Sequence, residues 1–243
     1  GIVTRVVLKL EPVPRTTATV LLGLPSVAAA LEAISLAMAA RTGHLRAAEG
    51  LWQSYIELTS AAQGWSEPGF ALVHPVYLLV MLGGADQAGL DAEIERIFGE
   101  VLENHPSTNG IIATSLRQEA ALWQLREDTA QLYRAHAAAP SFDVSVPQAE
   151  IAAYLDQMAA ALAQVDGGIA PYVFGHLADG NLHIVLNRAG PLAADVTRAV
   201  EQVLYAPLPG LGGSFSAEHG VGSKRVAALV ATADPVKLAS MAR

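Results

Sequence analysis

Cysteine is absent from the sequence, which removes disulfides, thiolate zinc sites and thiol nucleophiles together. That absence fits a reducing compartment, so a cytoplasmic setting is the expectation. Basic residues are also few: 15 Lys and Arg stand against 23 Asp and Glu, a formal net charge of −8. No Lys/Arg cluster offsets the balance, which argues against nucleic acid as a partner. Charged residues make up only 16% and hydrophobic ones 52% of the 243 positions, enough for a sizeable core and too apolar for a disordered chain. A long uninterrupted apolar run is missing as well. Residues 17–40 come nearest, but Pro25 and Glu32 interrupt them and alanine is weakly apolar. They read as a strand followed by a core helix, not a transmembrane segment, leaving at most a peripheral membrane contact. No signal peptide is visible.

What is present alternates strands with helices. "TRVVLKL" and "TTATVLLGL" read as strands, and a helix follows from the N-cap Ser26 to the Arg41-Thr42-Gly43 stop. "GLWQSYIELTS" reads as strand or loop, "HPVYLLVMLGG" as a strand, "GLDAEIERIFGEVLENH" as an amphipathic helix and "NGIIATS" as a short strand. "LREDT" falls inside one long helix spanning "LRQEAALWQLREDTAQLYRAHAA". "SFDVSVP" alternates, and Pro147 is placed to open the next helix. A hairpin, a helix over "ADVTRAVEQVLYAPL", a glycine-rich approach to "GSFSAEHGVG" and a C-terminal helical stretch complete the chain. The expected fold class is α+β: an antiparallel sheet covered by helices, in an elaborated ferredoxin-like arrangement.

The hairpin, "FGHLADGNLH", carries two histidines around an Asp-Gly turn. With Asp179 and Gly180 as the two central turn residues, His176 faces His183. One face then gathers Phe174, His176, Ala178, Asn181 and His183, while Leu177, Leu182 and Ile184 fall on an apolar face. Opposed β-carbons lie about 4.5–5.5 Å apart, and two imidazoles at that spacing can share one divalent cation at about 2.0–2.1 Å each. They can equally make ordinary hydrogen bonds on a half-exposed sheet, because a metal site needs a third ligand.

Glu218 and His219, in "GGSFSAEHGVGSKR", sit where a strand should hand over to a loop. The segment has neither the spacing of a phosphate loop nor the G-x-S-x-G elbow of a serine hydrolase. "GHLADGNLH" followed by "SAEHGVG" resembles the C-terminal, substrate-oxidising domain of FAD-linked oxidases. These are the vanillyl-alcohol-oxidase-type flavoproteins that include D-lactate dehydrogenase, D-2-hydroxyglutarate dehydrogenase and the glycolate oxidase flavin subunit. "LREDT" and "FDVSVP" match weaker motifs of the family in order, and "GIVTRVVLKLEPVP" looks like the junction leaving its FAD-binding domain.

The resemblance implies that His176, His183 and Glu218 hold a divalent metal, zinc or a similar ion. It implies that His219 is the general base, that Arg126 grips the substrate carboxylate, and that Asn181 lies near the flavin or the substrate. It implies oxidation of a D-2-hydroxy acid to the 2-oxo acid, with FAD held mainly by a separate domain. Residues 1–14 would close that domain and residues 15–243 form the substrate domain. Its own FAD-binding domain is thus an expected partner, the electron acceptor is left open, and an exposed sheet face would promote a homodimer. Some members carry a lysine just before the aspartate of "DVSVP"; Ser141 and Phe142 precede Asp143 here. That departure favours a monocarboxylate such as lactate or glycolate over a dicarboxylate. The ending "LASMAR" also stops short of the family's Asn-Pro-Gly-type terminus. Two other readings remain: a non-catalytic small-molecule-binding module of the same fold, and a stand-alone metal-dependent hydrolase with His219 as base.

Overall fold

The computed structural model describes residues 2–241. Gly1, where the "GIVTRVVLKL" reading begins, and residues 242–243 of "LASMAR" lie outside the described residues. Seven antiparallel strands form one sheet in the order β4-β1-β3-β2-β6-β7-β5: β1 Thr16–Leu24, β2 His44–Trp52, β3 Val76–Gly84, β4 Asn109–Ile112, β5 Ser141–Ser145, β6 Pro171–His176 and β7 Asn181–Leu186. The α+β expectation, with an antiparallel sheet covered by helices, is what the structure shows.

The sheet is two similar halves joined edge to edge. In the first, β1, helix α1 (Val27–Met38), β2, β3, helix α3 (Gln87–Asn104) and β4 follow one another, with α2 (Gln53–Gln63) inserted between β2 and β3. In the second, β5, α6 (Ile151–Val165), β6, β7 and α7 (Ala194–Tyr205) repeat the plan. Its fourth strand is reduced to one bridge between Ser145 and Ser214. The seam is the β2–β6 pair, where Gly50 opposes Gly175. α1, α3, α6 and α7 cover one face with a continuous core that includes Ile34, Ile94, Leu155 and Leu204. On the other face α2, α4 (Leu116–Glu127) and α5 (Ala130–Ala135) bury Leu21, Leu51, Tyr77 and Leu79 beneath Tyr55, Leu122 and Leu132. Short helices α8 (Leu208–Leu211), α9 (Val226–Thr232) and α10 (Pro235–Met241) end the described chain.

Ser26 caps α1 by accepting from the Ala29 amide, as its sequence position predicts. Elsewhere the structure departs from expectation for visible reasons. "TRVVLKL" forms no strand: β4 and β5 hold the sheet edges, and Val6, Val7 and Leu8 stay exposed with nothing to pack on. "GLWQSYIELTS" divides at Trp52, because Tyr55, Ile56, Thr59 and Ser60 recur at helical spacing and bury one face of α2. The long helix around "LREDT" breaks after Glu127. The Arg126 carbonyl, which a continuing helix would use, accepts instead from the Tyr55 hydroxyl at 2.7 Å. Pro147 precedes a turn of 3₁₀ helix, Gln148–Glu150, and α6 starts only at Ile151.

Candidate functional site

The hairpin register differs from the tight-turn expectation by two residues: Phe174, not His176, opposes His183. The Leu177 amide donates across the seam to Ala48, and Gln148 donates to the carbonyls of Leu177 and Ala178. Held from outside, residues 177–180 form a four-residue loop instead of a two-residue turn. Gly180 takes the left-handed conformation there (φ 76°). A slip of two preserves which face each side chain occupies, whereas a slip of one would have inverted it. His176 and His183 therefore remain on one face as diagonal neighbours, with ring centroids 5.9 Å apart.

The segment carrying Glu218 and His219 is not a strand. After the Ser145–Ser214 bridge, the Ser216 amide turns onto the Ser214 hydroxyl and pairing stops. Asp143 of β5 then draws the chain over the sheet: its Oδ2 accepts from the backbone amides of Glu218 (2.9 Å) and His219 (3.0 Å). Burial pushes the Asp143 carboxyl up, but those two amides and the His219 and His183 rings hold it below the usual aspartate value. Asn181, buried next to it, gives its Nδ2 to Asp143 Oδ1 at 3.3 Å, while its own oxygen is buried without a partner. Asn181 thus supports Asp143 from beneath and is not among the residues lining the cavity described below.

Donor atoms of His176, His183 and Glu218 come within 4.8 Å of one another. A second combination, Asp143 with His183 and His219, meets the same distance, but the Asp143 oxygens are already engaged by two amides and Asn181. The first combination keeps its donors free. His176 gives Nδ1 to Glu49 Oε1 at 2.7 Å, which turns Nε2 toward Glu218 Oε1 at 3.3 Å. His183 is pushed below the usual histidine value, first by burial and then by the Arg126 charge. It therefore stands as a neutral imidazole, the form that ligates. Two imidazoles and one carboxylate in this arrangement suit zinc or a similar divalent ion.

Beside these groups opens a cavity of about 260 Å³, lined on one side by Arg126, Asp143, His183, Glu218, His219 and Arg225. Leu132, Phe142, Phe174 and Val185 form its apolar wall. The sequence reading brought His176, His183, Glu218, His219 and Arg126 to one place, and the structure groups all five. Arg126 is buried at the end of α4. Its Nε donates to Glu49 Oε2 at 2.8 Å and its guanidinium lies 5.0 Å over the Phe174 ring. Arg126 also lines the cavity. The His219 ring is largely exposed and carries Nε2 3.8 Å from Glu218 Oε2.

Two residues escaped the sequence reading as site residues. The sequence motifs single out what precedes Asp143 and not Asp143 itself. Glu49 belongs to none of the motifs, although a glutamate inside the apolar strand "AAEGLW" signals a buried partner. The α1 and α3 N-termini that follow β1 and β3 are capped by Ser26 and Asp86, and no G-x-G-x-x-G is present. Among the described residues no helix is long and apolar enough to cross a membrane.

The chain is 31% identical over 99% of its length to D-2-hydroxyglutarate dehydrogenase of Xanthomonas citri pv. viticola, of which it covers 51%. It is 30% identical over 93% of its length to the mitochondrial D-2-hydroxyglutarate dehydrogenase of Bos taurus, of which it covers 40%. The chain therefore spans about half the length of the curated relatives it matches, or less. Among solved structures, 4-ethylphenol oxidase from Gulosibacter chungangensis shares the fold with a TM-score of 0.64 at 14% identity, covering 96% of this chain and 51% of that one. Residues 13–243 match the family model described as FAD linked oxidases, C-terminal domain, and the chain belongs to that family.

Proposed function

We propose that this chain is the substrate- and metal-binding part of an FAD-dependent dehydrogenase that oxidises a D-2-hydroxy acid to the 2-oxo acid. In this reading residues 1–14 lead out of a flavin-binding domain and residues 15–243 form the substrate domain. The carrying observation is the convergence of His176, His183 and Glu218 beside a cavity that also presents Arg126 and His219. His176, His183 and Glu218 would hold the divalent ion, which when bound lowers the pKa of a substrate hydroxyl. The flavin, held by its own domain, would accept the hydride.

This chain's residues account for binding and proton handling. Arg126 lines the cavity and offers a planar fork suited to the carboxylate. His219, on a loop anchored by Asp143, takes the hydroxyl proton on its imidazole as the C2–H bond breaks. Phe174 and Val185 give the cavity an apolar wall beside His183. A reducing, cytoplasmic setting fits the cysteine-free sequence.

The substrate in this reading is a monocarboxylate of the lactate or glycolate kind. Here it departs from the named relatives, which are D-2-hydroxyglutarate dehydrogenases. Beyond Arg126 the apolar wall is Leu132, Phe142, Phe174 and Val185, and no lysine precedes Asp143 in Pro140-Ser141-Phe142. Arg225, the other cation, already gives Nη1 to the Gly220 carbonyl at 2.8 Å.

The test has two arms. Elemental analysis of the protein, prepared without chelator or polyhistidine tag, should find near-stoichiometric divalent metal that is lost in His176→Ala and Glu218→Ala. In a flavoprotein that joins this chain to its flavin-binding domain, D-lactate or glycolate should bleach the flavin absorbance faster than D-2-hydroxyglutarate. Faster bleaching by D-2-hydroxyglutarate overturns the monocarboxylate reading. No bleaching by any 2-hydroxy acid, with flavin bound, moves the non-catalytic module ahead.

A further inference from the structure

Glu49 is a buried carboxylate on the first half of the sheet, yet both of its oxygens serve residues of the candidate site. Oε1 meets His176 Nδ1 at 2.7 Å and Oε2 accepts from Arg126 Nε at 2.8 Å. Its side chain is only 9% exposed, and that of Arg126 10%. Burying two charges is costly unless each hydrogen bond is made, and here one carboxylate completes two. We infer that Glu49 is a shared positioning residue: it fixes the His176 tautomer that binds metal and the Arg126 orientation that binds the substrate carboxylate. This rests on the site reading above, which assigns those tasks to His176 and Arg126.

The chemistry follows from what each partner can offer. Arg126 has donors only, so it faces a carboxylate with acceptor oxygens only. A neutral His176 beside such a group must carry its proton on Nδ1. Its lone pair is then on Nε2, the nitrogen pointing toward Glu218. An amide in place of Glu49 cannot satisfy both neighbours. If its oxygen turns to Arg126, its NH₂ faces Nδ1 and selects the opposite tautomer, removing the lone pair from Nε2. If its oxygen turns to His176, its NH₂ faces the Arg126 Nε–H, and the guanidinium loses its anchor. Aspartate is one methylene too short to span the gap without a backbone shift.

The experiment compares the parent with Glu49→Gln. Nitrogen-15 NMR of the metal-free parent should show His176 as the Nδ1–H tautomer. This readout does not depend on whether metal binds, so it separates the inference from the function proposal. In Glu49→Gln the tautomer should become mixed. Affinity for zinc ion should fall about 10- to 100-fold, and affinity for pyruvate, as a simple 2-oxo acid probe, about tenfold. A residue that only supports the fold would leave both affinities within about threefold in a folded variant. An Nε2–H tautomer in the parent overturns the inference even if the variant cannot be prepared. Loss of only one affinity overturns the shared role and assigns Glu49 to that ligand alone.

Discussion

The two halves of the sheet place different residues at equivalent positions on the same face. A pseudo-two-fold axis between Gly50 and Gly175 relates the strands in pairs, β2 with β6, β3 with β7 and β1 with β5. By register, Leu79 of the first half corresponds to His183, Leu21 to Asp143, Tyr77 to Asn181 and Leu51 to His176. The first set is roofed by α2, α4 and α5 as a closed apolar core. The second set is polar, and its Asp143 and His183 line the cavity beside residues 218, 219 and 225. One backbone plan thus supports a core on one side of the seam and a candidate site on the other. What separates them is side-chain polarity and the roof, not the strands. The exception crosses the seam: Glu49 corresponds to Phe174, so each half lends the other the residue it lacks.

The largest expected effect comes from forcing the first half to resemble the second. Leu21→Asp puts a carboxylate where no backbone amides wait for it, under a roof that excludes water. The expected cost is about 4 kcal/mol or more, read by urea unfolding or as loss of soluble protein. A folded variant losing less than about 1 kcal/mol would show that the two faces are interchangeable and would break the comparison.

The seam should show the next largest effect. A β-carbon on Gly175 would sit 2.2 Å from the Asn181 carbonyl oxygen, and one on Gly50 2.7 Å from the Leu177 side chain. Backbone yields less readily than a side chain. Gly175→Ala should therefore cost about 3 kcal/mol and Gly50→Ala about 1–2. Equal losses in urea unfolding would mean that the seam is as plastic on the site side as on the core side.

Asp143→Asn should cost about 1–3 kcal/mol, because a neutral amide oxygen accepts from the Glu218 and His219 N–H groups more weakly than a carboxylate does. The Asp143 value is lowered on folding, so its contribution is present above the ordinary aspartate range near pH 4 and lost as pH falls through the folded value. Parent and variant stabilities measured by thermal melting should therefore converge below about pH 4. A constant gap down to pH 2 would assign the cost to packing instead of charge.

How much of this was legible in the sequence depends on how local each signal is. β1, β3 and α3 announce themselves by periodicity, and Ser26 by capping chemistry. The placing of His176 and His183 on one face was legible because the hairpin keeps face parity even when its register moves by two, whereas Glu218 joins them in the sequence only through the family resemblance. The break at Asp128 was not, since the Tyr55 hydroxyl that causes it is 71 residues away from Arg126. The doubling of the fold was hidden for the same reason that it is informative. Leu21 and Asp143, or Leu79 and His183, occupy matching backbone positions with opposite chemistry, so the repeat leaves no sequence period. Glu49 lay out of reach because its partners come from β6 and α4, which only the folded sheet assembles.

The smallest expected effect on stability accompanies a complete loss at the site. His183→Leu restores the residue type found at its counterpart, Leu79. The imidazole packs 5.2 Å from the Phe174 ring, and leucine offers a similar apolar bulk to that contact. Asp143 keeps both backbone amides and Asn181, so no buried acceptor is orphaned. Stability at pH 7 should change by less than about 1 kcal/mol, while divalent metal disappears from elemental analysis. The pH dependence sharpens the test in metal-free protein. Because the folded His183 value is depressed, chiefly by burial, the unfolded chain binds the proton more readily. Stability is then full above the ordinary histidine value near pH 6.5 and declines as pH falls toward the folded value. His183→Leu should flatten that acid limb and leave the neutral plateau unchanged. If instead the variant melts far lower at neutral pH, His183 carries structure that Leu79 does not. The two halves would then differ in architecture and not only in the chemistry laid upon it.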